Sequence, residues 1–178
     1  MSKAFQATAL CAALFTAGFL PPAHAQQQGP NDAQIAHIVV TADQVDIDAG
    51  KVAEKKGSTD DVRKFGKQMV TDHTSVNQQA AALAKKLKLK PEPNDTSASL
   101  KKGGDENLAK LKDLKGKEFD KAYVDNEVTY HQAVIDAVDK TLLPSAKNPE
   151  LKSLIEKVRP TLQAHLEHAQ HLQAQLGK

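Results

Sequence analysis

Residues 62–87 constrain this chain most, because their apolar side chains recur every three or four positions. That spacing places them on one face of an α-helix, which has about 3.6 residues per turn. One imidazole, His73, interrupts the apolar face near its middle, and Asp72 precedes it. The face consists of Val62, Phe65, Met69, His73, Val76, Ala80, Leu83 and Leu87. The pattern predicts a long amphipathic helix that carries a histidine into a core.

Three further segments have the same periodicity and predict helices over about 32–56, 117–142 and 149–176. Gly57 leaves almost no loop between the first two helices, so they should form an antiparallel hairpin. Pro160 lies inside the fourth helix and should kink or split it. No segment alternates with period two, and the sequence therefore predicts an all-α, four-helix bundle.

A long connection separates the second and third helices. Pro91 and Pro93 break the second helix. Two short helices, interrupted by Gly103 and Gly104, are predicted between there and residue 117. The sequence leaves open whether this helical connection crosses the bundle.

The first 25 residues have the pattern of a secretory signal peptide. Lys3 is followed by an apolar run over 4–20 and by the small-x-small site Ala23-His24-Ala25. An uncleaved anchor is the alternative, although the run is shorter than most membrane-spanning helices. We predict a signal peptide (1–25), a polar leader (26–31) and a bundle domain (32–176). Export predicts a periplasmic protein with no transmembrane segment after cleavage.

Cysteine usage and charge exclude several classes of function. The one cysteine, Cys11, lies in the signal peptide, so the exported chain cannot form disulfides or thiolate metal sites. Lys and Arg number 24 against 22 acidic residues, for a net charge of +2. Such a balance, with few aromatic residues, predicts no nucleic-acid partner. We find no serine–histidine–acid pattern and no phosphate-binding glycine loop, and predict no catalytic residues.

Four titratable residues near the middle of their helices form a candidate metal site: His73, Glu127, His131 and His165. Helical bundles build metal centres from imidazoles and carboxylates on facing helices. Zinc, copper or iron would suit this set, with Met69 or His168 as an extra ligand and Asp46 or Asp72 as a supporting acceptor. The alternative is a polar layer that only fixes the register of the helices.

Other polar residues are predicted to face solvent. Asp43, Asp46 and Asp48 are expected in a solvated or boundary position on the first helix. His165, His168 and His171 recur every third residue, a spacing that drifts around the helix, and His171 is expected to be solvated.

Several short motifs resemble the bacterial domain of unknown function DUF4142. They are Met69-Val70-Thr71-Asp72-His73, the segment 116–123, Glu127-x-x-Tyr130-His131 and Pro160-x-x-x-x-His165-Leu166-x-x-Ala169. The resemblance covers about residues 32–176 and implies a ferritin-like bundle in the cell envelope. Its members are often described as predicted outer membrane proteins, which implies association with that membrane, and no enzymatic activity is implied.

The sequence departs from the di-iron pattern of ferritin-like proteins. That pattern needs a glutamate on two helices and Glu-x-x-His on the other two. Here Glu127 and His131 are four apart, and the first helix offers only Glu54 near its end. We therefore expect no di-iron oxidase or iron-storage site. The leading hypothesis is a non-catalytic envelope protein with a stress- or interaction-related role and an unknown protein partner. The alternative is a periplasmic metal-binding or metal-dependent redox protein.

Overall fold

The computed structural model describes residues 29–177, in which helices dominate and no strand occurs. The predicted signal peptide and residues 26–28 of the leader lie outside the described residues. The elements are α1 (Asp32–Lys56), α2 (Asp60–Lys86), α3 (Asp95–Asp113), α4 (Gly116–Ala137), a π-helix (Val138–Leu142), α5 (Leu143–Ser145) and α6 (Pro149–Leu176). The all-α prediction is confirmed. Between residues 29 and 177, no helix combines the length and apolarity needed to cross a bilayer.

Helices α1 and α2 form the predicted hairpin, and two glycines let them approach closely. Asn31 caps α1 through a capping box with Gln34, and Thr59 caps α2. A Cβ atom on Gly50 would lie 2.7 Å from the carbonyl oxygen of Gly66. A Cβ atom on Gly66 would lie 2.8 Å from the Cβ atom of Ala53. These contacts leave no room for larger residues at this crossing.

Helix α3 crosses the whole bundle as one continuous helix, so the prediction of two short helices was wrong. At its start, the Asn94 side chain donates a hydrogen bond to the carbonyl of Gln34 near the start of α1. At its end, the carbonyls of Leu111 and Lys112 accept hydrogen bonds from the Lys56 ammonium group at the end of α1. The glycine pair does not break the helix. Gly104 is buried, and a Cβ atom added there would lie 2.7 Å from the side chain of Val45. Helix α3 can therefore approach α1 this closely only because residue 104 has no side chain.

Hydrogen bonds join the second hairpin, formed by α4 and α6, to both ends of the first hairpin, formed by α1 and α2. At one end, the buried carboxylate of Asp120 accepts hydrogen bonds from Ser58 and Thr59 at the start of α2. At the other end, Asp32 accepts from the backbone of Lys147 and Asn148. Helices α1 and α6 therefore run in one direction and α2 and α4 in the other. With α3 as the crossover, this is the connectivity of ferritin-like bundles.

The two helices of the second hairpin depart from the predicted regularity in different ways. Helix α6 continues through Pro160 without splitting. Helix α4 changes to a π-helix after Ala137, where the Leu143 N–H donates to Val138, five residues earlier. Such π segments often lie at functional sites.

Two apolar clusters fill the bundle, one on each side of a polar layer. One is built around Phe65, Phe119 and Tyr123, and the other around Ile38 and Ile155. The four long helices each send buried polar side chains into the layer between them. The fold thus places a polar site at mid-bundle, away from both ends.

Replacing Gly66 by alanine should destabilise the protein by about 1–3 kcal/mol, because the new methyl group overpacks the α1–α2 crossing. Gly103→Ala is the matched control, since Gly103 is also helical but a Cβ atom added there would have no neighbour within 4 Å. That change should stabilise the protein by about 0.5–1 kcal/mol. Urea unfolding of both variants checks the difference, and equal effects would contradict the close crossing.

Candidate metal centre

Six titratable side chains meet at mid-bundle, and all four long helices contribute. Helix α1 supplies two carboxylates, α2 and α6 supply one imidazole each, and α4 supplies a carboxylate and an imidazole. All six are buried: Asp43, Asp46, His73, Glu127, His131 and His165. The structure thus brings the four predicted ligands into one layer and adds two aspartates to them.

The three imidazole rings form a nearly regular triangle. Ring centroids are separated by 5.8 Å between His73 and His131, 5.3 Å between His73 and His165, and 5.4 Å between His131 and His165. Each ring has a nitrogen within 4.8 Å of a nitrogen of the other two. An ion about 2.0–2.1 Å from each nitrogen therefore requires only small side-chain movements.

One nitrogen of each ring is held by the protein. Nδ1 of His73 lies 2.7 Å from the carboxylate of Asp43, and Nδ1 of His131 lies 3.1 Å from the main-chain oxygen of Glu127. Nε2 of His165 lies 2.9 Å from the carboxylate of Asp72. Metal-binding histidines are oriented in this way, with one N–H donated to an acceptor and the other nitrogen free for the ion.

The other nitrogen of each ring has no hydrogen-bond partner within residues 29–177. These atoms are Nε2 of His73, Nε2 of His131 and Nδ1 of His165. Both oxygens of Asp46 and one oxygen of Glu127 are likewise unpaired there. Asp46 Oδ2 lies 3.0 Å from His73 Nε2 and 3.3 Å from His131 Nε2, without the alignment of a hydrogen bond. Since most buried polar atoms in proteins are paired, this cluster of unpaired atoms needs an explanation.

His73 carries the positive charge of the site. Burial lowers the pKa of His73, but the carboxylates of Asp46 and Asp43 outweigh burial and raise it to about 10. Burial raises the pKa of Asp46, but the positive charge of His73 and its close polar contact with the carboxylate outweigh burial and lower the pKa to about 2. Without an ion, the layer therefore contains a buried His73–Asp46 ion pair.

The other two imidazoles are neutral. Burial lowers the pKa of His131, and the positive charge of His73 adds to this effect. Burial also lowers the pKa of His165, to about 4, although the hydrogen bond to the Asp72 carboxylate acts to raise it. Neutral imidazole is the form that binds metal ions, so these two rings are prepared for ligation at neutral pH.

Glu127 forms a second group of potential ligands with Asp46 and His131. One ligand atom from each lies within 4.8 Å of the others. Burial raises the pKa of Glu127 well above its usual value, and the negative charge of Asp46 raises it further. The raised pKa favours the protonated form of Glu127 beside the triangle, and an entering cation would favour release of its proton.

The remaining predicted ligands lie outside the polar layer. Met69 packs in the apolar cluster of Phe65 and Tyr123. His168 stacks edge-on against Phe65, with ring centroids 4.9 Å apart, and His171 is exposed as expected. His168 belongs to neither of the two ligand groups found among the described residues.

The expectation that Asp43 and Asp46 face solvent was wrong. Both are buried against His73, whereas Asp48 binds Lys51 at the surface. The spacing of Asp46 relative to the apolar residues of α1 could have predicted its burial. Asp46 lies four residues after Ala42 and three before Ala49, on the same face as the apolar residues.

The sequence profile of the family Domain of unknown function (DUF4142) matches residues 19–172. The chain belongs to this family. A comparison with curated proteins finds no match. Among solved structures, the chain is similar to a DUF305 protein of Streptomyces coelicolor described as secreted. The two are 14% identical, with a TM-score of 0.68, over 82% of this chain and 93% of that one. At this identity the likeness supports the fold of the DUF4142 chain and nothing more specific.

Proposed function

We propose that this DUF4142 protein binds one divalent transition-metal ion at mid-bundle, through His73, His131 and His165 with a carboxylate of Asp46. Glu127 lies beside the ion and compensates its charge after losing its proton. The observation that carries this proposal is the pairing pattern of the three rings. Each has one nitrogen held by an acceptor and a second buried nitrogen without a hydrogen-bond partner among residues 29–177, and for His73 and His131 that second nitrogen lies 3.0 Å and 3.3 Å from Asp46 Oδ2.

Metal binding accounts for features that a purely structural polar layer does not. A layer that only fixes helix register gains most when its buried groups pair with one another. Here the charge of His73 is paired with Asp46, but the second nitrogens of the neutral His131 and His165 rings have no hydrogen-bond partner among residues 29–177. An ion would satisfy these atoms together, which favours metal binding over the stress- or interaction-related role without a metal.

The ligand types favour zinc, copper or iron. Imidazole suits all three metals, and three imidazoles with one further ligand resemble known zinc centres in composition. Calcium and magnesium prefer sites made of oxygen ligands. Copper would bind such a site more tightly than zinc by the usual affinity order.

We infer that the protein works outside the cytoplasm, in the periplasm or at the outer membrane. The sequence pattern of residues 1–25 supports export. The structural relative described as secreted is consistent with it. A histidine site without cysteine ligands also suits an oxidising compartment.

The test is a zinc titration of the untagged protein against a chromophoric chelator. We expect one zinc ion per chain, and His165→Ala should lower the affinity by about 100-fold or more. Removal of a residue that only supports a metal ligand typically costs about 10–100-fold, so loss of a ligand should cost at least as much. His171→Ala is the control, because His171 lies on the same helix but is exposed.

Equal zinc affinity in the His165→Ala and His171→Ala variants would overturn the proposed site. The same holds if the unaltered protein retains no zinc, copper or iron under any loading condition. Circular dichroism of both variants establishes that the bundle is intact, so a loss of zinc cannot be attributed to unfolding.

A further inference from the structure

We infer that the metal centre serves a small neutral ligand, with an apolar body about the size of benzene and one polar atom. This inference rests on the proposed function for the role of the polar atom only. It starts from a cavity of about 130 Å³ that borders the polar layer. The cavity is close in size to an engineered cavity of about 150 Å³ that remains dry and binds benzene or xenon.

The walls of the cavity are apolar over most of their length. They come from α1, α2, α3, α4, the π-helix and α6, and include Ile38, Val76, Leu100, Val134, Ile155 and Leu162. Such walls offer no partners for ordered water molecules, which need two to four hydrogen bonds each. The body of a ligand in this space must therefore be apolar.

The cavity borders the candidate metal centre through residues of that centre. Asp46, His73 and His131 all line the cavity, as does Tyr130. The Tyr130 hydroxyl donates to the carbonyl of Ala42, so it is already paired. The Nε2 atoms of His73 and His131 are buried and would be used by the ion, so a polar atom of the ligand would meet the bound ion from the side of the cavity that these residues line.

The π-helix contributes two residues to the wall of this cavity. Its first and last residues, Val138 and Leu142, are both buried and both line the cavity. A regular α-helix would give these side chains a different spacing around the helix axis, because a π turn contains an additional residue. Interiors of proteins are otherwise closely packed, so a cavity of this size at a helix irregularity points to a binding site.

The first experiment tests the cavity alone, with benzene and phenol as probes and the metal-free protein. Ligand-observed NMR should detect saturable binding of both probes. Ala137→Leu, which fills the cavity from α4, should reduce binding at least tenfold. Ala81→Leu is the matched control, since Ala81 is exposed on α2. Val158→Phe fills the cavity from α6 and replaces Ala137→Leu if that variant does not fold.

The second experiment tests the connection to the metal centre by visible absorption of the cobalt(II)-loaded protein. Phenol should change the cobalt spectrum, and the change should disappear in the cavity-filling variant. Saturable benzene binding with no cobalt uptake would overturn the proposed function while the cavity site stands. Cobalt uptake without binding of either probe would overturn the ligand site. Phenol binding that leaves the cobalt spectrum unchanged would overturn the connection between the two.

Discussion

Zinc affinity is expected to rise by about one to two orders of magnitude per pH unit between about pH 6 and pH 8, because up to two protons leave the site when the ion binds. One comes from His73, whose pKa of about 10 keeps the ring protonated throughout this range. The other comes from Glu127, whose pKa burial and Asp46 raise well above the usual value. His131 and His165 have lowered pKa values and contribute no proton at these pH values.

Each displaced proton contributes about a tenfold change in affinity per pH unit, with higher affinity at higher pH. Isothermal titration calorimetry in buffers of different ionisation enthalpy counts the protons directly. Glu127→Gln has one proton fewer to lose, and the slope should fall to about tenfold per pH unit. An affinity that does not change between about pH 6 and pH 8 would show that the ion does not bind at His73.

The sequence predicted the level of the site because both hairpins have short turns. Gly57 and the turn before Asn148 fix where each pair of helices begins, and a constant rise per residue then sets the height of every side chain. This reasoning places Glu127 level with His165 and His131 one turn away, and it places His73 near the middle of its helix. In the structure the rings of the three histidines converge. Whether they bind a metal stays a prediction.

The burial of Asp46 could not be read as easily, because α1 is covered on several sides. Val45 packs against Gly104 of α3. Asp46, one position further around the helix, faces His73 and His131. A single apolar stripe describes a helix with one buried face. It fails for a central helix whose second face is buried by a crossover that the sequence does not place.

The prediction of a helix break at Gly103 and Gly104 was wrong for a related reason. Gly103 and Gly104 are typical of a break when a segment is considered alone. In the structure, the absence of a side chain at Gly104 allows α3 to approach Val45. The lower helix propensity, about 1 kcal/mol per glycine, is offset by this packing.

The substitution Asp46→Asn should destabilise the metal-free protein by about 3–5 kcal/mol near neutral pH, because it leaves the buried charge of His73 poorly compensated. Asp46 is 1% exposed and lies 3.0 Å from His73. Asp43 remains as the other partner of His73, so the protein should still fold. The pKa of His73, followed by NMR, should fall from about 10 in the variant.

The effect of Asp46→Asn should depend on pH in a defined direction. The folded state raises the pKa of His73 from 6.5 to about 10. The resulting stabilisation is complete below about pH 6.5 and is lost as the pH rises toward 10. The difference in free energy of unfolding between the variant and the unaltered protein should therefore shrink over this range. Asp48→Asn is the control, because its surface pair with Lys51 should contribute less than about 1 kcal/mol. If Asp46→Asn and Asp48→Asn unfold at the same urea concentration near neutral pH, the buried ion pair does not exist in solution.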